Sequence, residues 1–329
     1  MKNIEKKEQI TATRHTLSEE WKSMRQKVDW MAAPGMADYV NGMVSGKALN
    51  DNGHWALYAL AEHIVPLLQK RTKELGIFRA QPKLSMLSLG CGSCHIEAGL
   101  IGEFKWPITR FVGAEYDQHL RDHAAQCFSK RFPNIDAELT FFDFNKPHDI
   151  SEKFDIVFTC HAIHHATDLE AFLPAINNHL KPDGLIIGID FFGPTRFQIE
   201  YDVQGVIREL FDLLPEHFRR DLRSPEGKVF EKFEVDLIEV VRKADISESV
   251  RSSDLRTLLF SNFPVLDIKP MGGTLLRWLL QYRAGNFMDS NPDHVAICRL
   301  LQIIEREMIA SKKIRSDDLF FVLGKSNRL

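Results

Sequence analysis

The spacing of apolar positions changes along the chain. Over residues 1–80 they recur at helical intervals. Trp21, Met24 and Val28 lie three and four apart, and Leu57, Leu60, Ala61, Ile64, Leu67 and Leu68 follow one helix face. A stretch containing Gly and Asn, from Asn41 to Gly53, separates the two patterns and reads as loop. Residues 1–80 are expected to form an N-terminal helical arm, either covering the edge of a core or closing as a lid over a ligand. From residue 81 short apolar runs alternate with helical patterns. LSMLSL (84–89), RFVGAE (110–115), ELTFFD (138–143), FDIVFT (154–159) and LIIGIDFF (185–192) read as strands. Leu169, Phe172, Leu173, Ile176 and Leu180 share one helical face, and Pro182-Asp183-Gly184 is expected to end that helix and turn the chain into the next strand. Strands that are apolar nearly throughout must be covered on both faces, which predicts a parallel sheet with helices on either side. Right-handed crossovers make that sheet doubly wound.

Beyond residue 193 two further strands, PVLDIKP (264–270) and DLFFVLG (318–324), bring the predicted α/β sheet to seven mostly parallel strands. Helical patterns around 200–223 (Ile207, Leu210, Phe211, Leu214) and 293–311 (Val295, Leu300, Leu301, Ile304, Met308) read as cap helices inserted between the last strands. The expected organisation is an arm (1–80), a core (81–192), and cap insertions with the last two strands (193–329).

Composition narrows the function classes. Hydrophobic residues make up 44% and charged residues 26%, as in an ordinary globular protein and unlike a disordered or collagen-like chain. The net charge of −3 gives no basic excess for gripping phosphates, so no nucleic-acid partner is expected. No apolar run approaches about 18 residues, so no membrane span is expected. The polar start MKNIEKKEQITATRH has no apolar stretch of the kind a secretory leader needs. Five Cys, with only Cys91 and Cys94 closely spaced, fit reduced thiols and a cytoplasmic location.

In an open parallel sheet the ligand sits beyond the carboxyl ends of the strands, where strand order reverses. The first strand runs into Gly90-Cys91-Gly92-Ser93-Cys94, a loop in which glycines let backbone approach a ligand. A dinucleotide fingerprint would place a third Gly where His95 stands, so a pyrophosphate site is imperfect. The second strand ends in Glu115, where a carboxylate can accept hydrogen bonds from both ribose hydroxyls. The third ends in Asp143, placed to accept from an adenine amine, with Phe144 to pack on the ring. The fourth ends in Cys160-His161-Ala162-Ile163-His164-His165. Three strand ends agree on an adenosine-type ligand lacking a pyrophosphate.

The ordered segments LSLGCGSC, FVGAEYD, FFDFN, FDIVFTCHAIHH and NNHLKPDGLIIGIDFF resemble those of class I S-adenosylmethionine-dependent methyltransferases over about residues 83–192. The resemblance implies a Rossmann-like methyltransferase fold, S-adenosyl-L-methionine as cofactor, and a cofactor site of Ser88, Gly90, Cys91, Gly92, Glu115, Tyr116, Asp143, Phe144 and His161. In that site the loop would lie against the methionine moiety, and His161 near the sulfonium. Two positions depart from the family pattern: Ser88 stands where an acid is usual, and Cys94 where a third small residue is usual. DYVNGMVSG (38–46) with Gly53-His54-Trp55, GPTRFQ (193–198), SESVRSSDL (247–255), GGTLLRWLL and AGNF resemble a bacterial group of small-molecule methyltransferases, and imply a small acceptor.

In-line methyl transfer to a hydroxyl needs an aligned nucleophile and a group to take its proton, and His is most easily poised for that near neutral pH. His165 is the candidate base and His164 its substitute; the structural alternative is that either bonds neighbouring backbone. Cys160, His161, His164 and His165 are too closely spaced for one tetrahedral site, so no metal is expected. Arg196 and Arg251 are candidates for an anionic acceptor group, with anchoring of cap to core as the alternative. Tyr39 and Trp55 are candidates to close over the cofactor, and Tyr39 also to bind the acceptor; the alternative is packing of the arm. The favoured expectation is O-methylation of a small molecule. The rivals are a nucleic-acid or protein methyltransferase, although the Asn/Asp-Pro-Pro-Tyr run common in amino-nitrogen enzymes is replaced here by Cys160-His161-Ala162-Ile163; a dinucleotide oxidoreductase; and a non-catalytic S-adenosylmethionine-binding protein.

Overall fold

The computed structural model describes residues 30, 33–36, 39–40, 72–76, 83–102, 105–146, 148–222, 227–233 and 246–329. Most of the predicted arm, including Trp55, lies outside the described residues. Seven strands form one sheet: β1 (Leu84–Leu89), β2 (Ile108–Glu115), β3 (Asp136–Phe141), β4 (Phe154–Cys160), β5 (Leu180–Phe191), β6 (Val265–Gly272) and β7 (Asp318–Gly324). Their order is β3-β2-β1-β4-β5-β7-β6. Neighbours from β3 through β5 are parallel, and β7 runs antiparallel between β5 and β6. The order reverses between β1 and β4, which opens the crevice where ligands bind in such sheets.

The predicted two-sided burial is seen residue by residue. Met86, Phe111, Phe158, Ile187, Phe320 and Val322 face one core. Their chain neighbours Leu87, Val112, Val157, Ile186, Phe321 and Leu323 face the other. This is the period-two alternation of strands buried on both faces. The first core is covered by α1 (His95–Gly102), α2 (Gln118–Arg131), α4 (Tyr201–Leu213), α6 (Leu276–Leu280) and α7 (Pro292–Ala310). The second is covered by α3 (Leu169–Asn178) and α5 (Ser252–Asn262). Asp117 and Asp168 cap α2 and α3 by accepting from the backbone N–H of His119 and Ala171 at 2.8 and 3.0 Å. These caps fix where the chain leaves the carboxyl ends of β2 and β4.

Two local expectations are corrected. Pro182-Asp183-Gly184 does not separate α3 from β5; β5 already begins at Leu180, opposite Phe154, and pairing resumes at Leu185, opposite Ile156. The three residues form an irregularity inside the strand, and a Cβ on Gly184 would lie 2.9 Å from the Phe154 carbonyl oxygen, so the bulge needs glycine. β3 spans Asp136–Phe141, which puts Asp143 in the turn beyond the strand.

Candidate active site

Two halves of the carboxyl rim carry the predicted site residues. On the β1–β3 side the chain leaves β1 through Gly90 and Gly92, both left-handed at φ +66° and +53°. The Gly90 N–H donates to the Ala114 carbonyl at 2.8 Å, and a Cβ on Gly90 would lie 2.5 Å from the Ala162 methyl and 3.4 Å from the Phe144 ring. Only glycine lets β1 approach the β4 exit this closely. The Gly92 N–H donates to Glu115 Oε2 at 2.8 Å, and the Asp117 N–H donates to Oε1 at 2.9 Å. A carboxylate has about four acceptor positions, so each oxygen keeps one for a diol. A Cβ on Gly92 would meet no atom within 4 Å, so the loop has an open side.

The β3 exit closes this half. Phe142 donates its N–H to the Glu115 carbonyl at 3.1 Å. Partial burial raises the Asp143 carboxyl, but the Asn145 N–H at 2.9 Å and Lys146 at 3.0 Å together hold it below its ordinary value. The Phe144 ring stands edge-on to Phe142 and Phe172, and Tyr116 exposes its ring beside Phe141. The predicted acids, the glycine turn and the aromatic ring converge. An open glycine cradle, a carboxylate with spare acceptors and a ring beside a second acid fit an adenosyl ligand.

Beneath the loop, Ser88 is buried and donates its hydroxyl to Glu97 Oε1 at 2.5 Å. Burial pushes the Glu97 carboxyl up to about 7. Glu97 was not anticipated from the sequence. It lies in the first turn of the helix that follows the glycine loop, and it brings an acid to the position where Ser88 departs from the family pattern. Cys91 and Cys94 are both free and buried in the turn.

The β4–β5 side is built around Asp190. This fully buried carboxylate accepts from the Ala162, Ile163 and Phe191 N–H groups at 3.0, 2.9 and 2.7 Å. It also pairs with His164 Nδ1 at 2.5 Å, while His164 Nε2 lies 3.1 Å from Glu248 Oε1. Burial works against the charge on His164, yet the two carboxylates outweigh it and raise the group to about 10. A histidine held there keeps both protons at neutral pH and offers no lone pair. The neighbouring His165 is partly exposed, its ring 4.5 Å from that of His164. Its Nδ1 is 3.0 Å from Ser247 Oγ, and its Nε2 is 3.8 Å from Glu248 Oε2. His161 is left-handed at φ +50° and donates its N–H to the Ile189 carbonyl, a backbone state that non-glycine residues seldom adopt. Burial lowers its pKa and keeps it neutral. Ligand atoms of His164, His165 and Glu248 lie within 4.8 Å of one another, a spacing that would admit a divalent cation only in competition with the proton on His164.

Three predicted acceptor-binding residues have partners within the protein. Arg251 forks onto Glu170 at 2.7 and 2.9 Å, and also donates to Asp254 and to the Thr167 carbonyl. Arg196 donates its side chain to the Glu248 carbonyl and its N–H to the Ser249 carbonyl. Both therefore clamp the 247–251 segment against the core. Tyr39 is buried, with its hydroxyl donating to Glu305 at 2.6 Å. Asp190 could have been found by extending the strand-end reading to β5. Ser247 and Glu248 lie in the SESVRSSDL segment singled out in the sequence, but nothing there tied them to His165, because Ser247 is 82 positions away from it.

Residues 87–186 match a family described as a methyltransferase domain. No curated protein matches the chain. Solved structures that align with it include the YcgJ protein of Bacillus subtilis (14% identity, 80% of this chain and 98% of that chain, TM-score 0.42). Another is an S-adenosylmethionine-dependent methyltransferase from Mesorhizobium loti (14% identity, 80% and 97%, TM-score 0.41). A third is coclaurine N-methyltransferase bound to N-methylheliamine and SAH (13% identity, 92% and 84%, TM-score 0.47). A glycine turn and two strand-end acids coincide with the matched segment on one rim of the sheet, so residues 87–186 carry a methyltransferase domain.

Proposed function

We propose that the protein methylates a small molecule on oxygen, with His165 as the general base. The observation that supports this most directly is the contrast between two adjacent histidines: His164 is buried and paired on both ring nitrogens, whereas His165 is partly exposed beside it. When bound, S-adenosylmethionine supplies a methyl group made electrophilic by its sulfonium. Gly90 and Gly92 give it backbone approach, Glu115 holds its ribose, and Asp143 with Phe144 receives its adenine. Glu97 supplies an acid under the loop.

On the acceptor side, a hydroxyl beside His165 would give its proton to Nε2, with Nδ1 hydrogen-bonded to Ser247. Glu248, 3.8 Å from Nε2, stabilises the imidazolium that results. His164 cannot take that proton while it holds its own, and its role is to fix the turn that carries His165. The segments 193–201 and 246–263, clamped by Arg196 and Arg251, form the cap over this rim. A cytoplasmic location accords with the free cysteines; among the described residues no helix is long and apolar enough to cross a membrane.

The test is transfer of isotope-labelled methyl from the cofactor to a panel of small hydroxyl-bearing compounds, with tRNA, DNA and protein extracts in parallel. Label on a small-molecule oxygen supports the reading. Label confined to nitrogen or to a macromolecule overturns it.

A further inference from the structure

The first residues after β5 open into a cleft of about 150 Å³ between α4, α5, α6 and the start of β7. A cavity of about this size holds a benzene-sized molecule. Phe192, Val203 and Trp278 give it apolar walls, and Asp317, Arg256 and Arg315 face into it. Asp317 is only 6% exposed, yet its carboxylate has no hydrogen bond or ion pair among the described residues. The carboxylate opens onto the cleft, where a cationic group of a ligand would gain a little-exposed partner. Burial and the neighbouring Asp318 push this carboxyl well above the ordinary aspartate range, against the opposing pull of the Arg277 guanidinium. Arg256 spends one nitrogen on the Ser316 carbonyl at 3.1 Å, and the exposed Arg315 side chain has no partner among the described residues. Glu200 stands exposed at the mouth.

A buried acid and two guanidinium groups thus share one cleft without closing on each other: Asp317 and Arg256 feel each other's field, but no ion pair joins Asp317 to Arg256 or Arg315. Such a gap suits a ligand that carries both signs. We propose that this cleft binds the zwitterionic, amino-acid-like end of the methyl acceptor, its ammonium on Asp317 and its carboxylate on Arg256 and Arg315. The cleft begins two residues after Asp190 on the β5 exit, so a molecule seated there lies on the acceptor half of the rim. The inference rests on the small-molecule reading above and names the class of that molecule.

The probes are L-valine, isobutylamine and isovalerate, the last two each lacking one of the charges. Their binding to the full chain, saturated with S-adenosylhomocysteine, is followed by NMR titration to about 10 mM. L-valine is expected to bind at least about tenfold more tightly than either single-charge probe. Asp317→Asn should lower valine affinity to that of isovalerate while leaving isovalerate unchanged. Arg256→Gln should lower it to that of isobutylamine, and Arg315→Gln, at an exposed position, should act in the same direction with the fold intact. Absence of valine binding, equal affinity for all three probes, or an Asp317→Asn loss that extends equally to isovalerate would overturn the proposal. Binding of S-adenosylhomocysteine in the same samples separates this failure from failure of the methyltransferase reading.

Discussion

The two halves of the carboxyl rim are assembled in different ways. Around β1–β3 each functional group stands at or just beyond the end of its own strand, and the links between groups are short backbone contacts such as Gly92 N–H to Glu115. Around β4–β5 the groups come from remote segments: Asp190 lies 26 residues from His164, and Ser247 lies 82 from His165. The cofactor half is a property of the sheet. The half proposed for the acceptor draws on segments that fold back over the sheet, so the two halves rest on different parts of the chain.

The sharpest break between the halves should come from His165→Ala. Turnover is expected to fall by roughly 10²–10⁴-fold with S-adenosylhomocysteine affinity unchanged. A loss of only a few-fold would reassign His165 to packing. Next in size is Asp190→Ala, which leaves three backbone N–H groups and a charged His164 buried without their acceptor. Urea unfolding should show a loss of about 3–5 kcal/mol, and a cost near zero would mean that the acceptor half is not organised by this carboxylate.

Titration can separate the halves further. The Glu97 carboxyl is raised to about 7, so the native state holds a proton that the unfolded chain has released. Its contribution to stability is therefore lost as pH rises from about 4.5 to 7, by about 3 kcal/mol. His164, raised to about 10, also holds a proton longer in the native state. Its contribution is complete below about 6.5 and is lost as pH rises towards 10. Unfolding free energies of wild type minus Glu97→Gln should slope downward in the acidic window, and those of wild type minus His164→Gln in the alkaline one. Flat difference curves would remove the corresponding network. The smallest effect expected is from Arg251→Ala, whose partners Glu170 and Asp254 are exposed. Its stability loss should be slight, and the part owed to these ion pairs should disappear at about 1 M salt, leaving only the hydrogen bond to the Thr167 carbonyl.

Legibility followed the same division. β1 and β7 were predicted with their observed bounds, because apolar runs buried on both faces leave a continuous signal. Glu115 and Asp143 could be read because a parallel sheet puts chemistry at strand ends. The β5 bulge was missed because Pro-Asp-Gly has the same composition in a turn as in a strand irregularity. Glu97 was hidden because helix geometry, not sequence proximity, returns its carboxylate to Ser88 nine residues earlier. Arg251 could be identified as a charged cap residue, but its choice of Glu170 over a ligand depends on packing between elements 81 residues apart.

The central claim is that the β1–β3 rim holds an adenosyl methyl donor. Titration calorimetry with S-adenosylhomocysteine and with NAD, on wild type and Glu115→Ala, tests it most directly. The account predicts 1:1 binding of S-adenosylhomocysteine, weakened by about 1–3 kcal/mol in Glu115→Ala, and no heat from NAD. Binding of NAD in place of S-adenosylhomocysteine, or an affinity indifferent to Glu115, would contradict it.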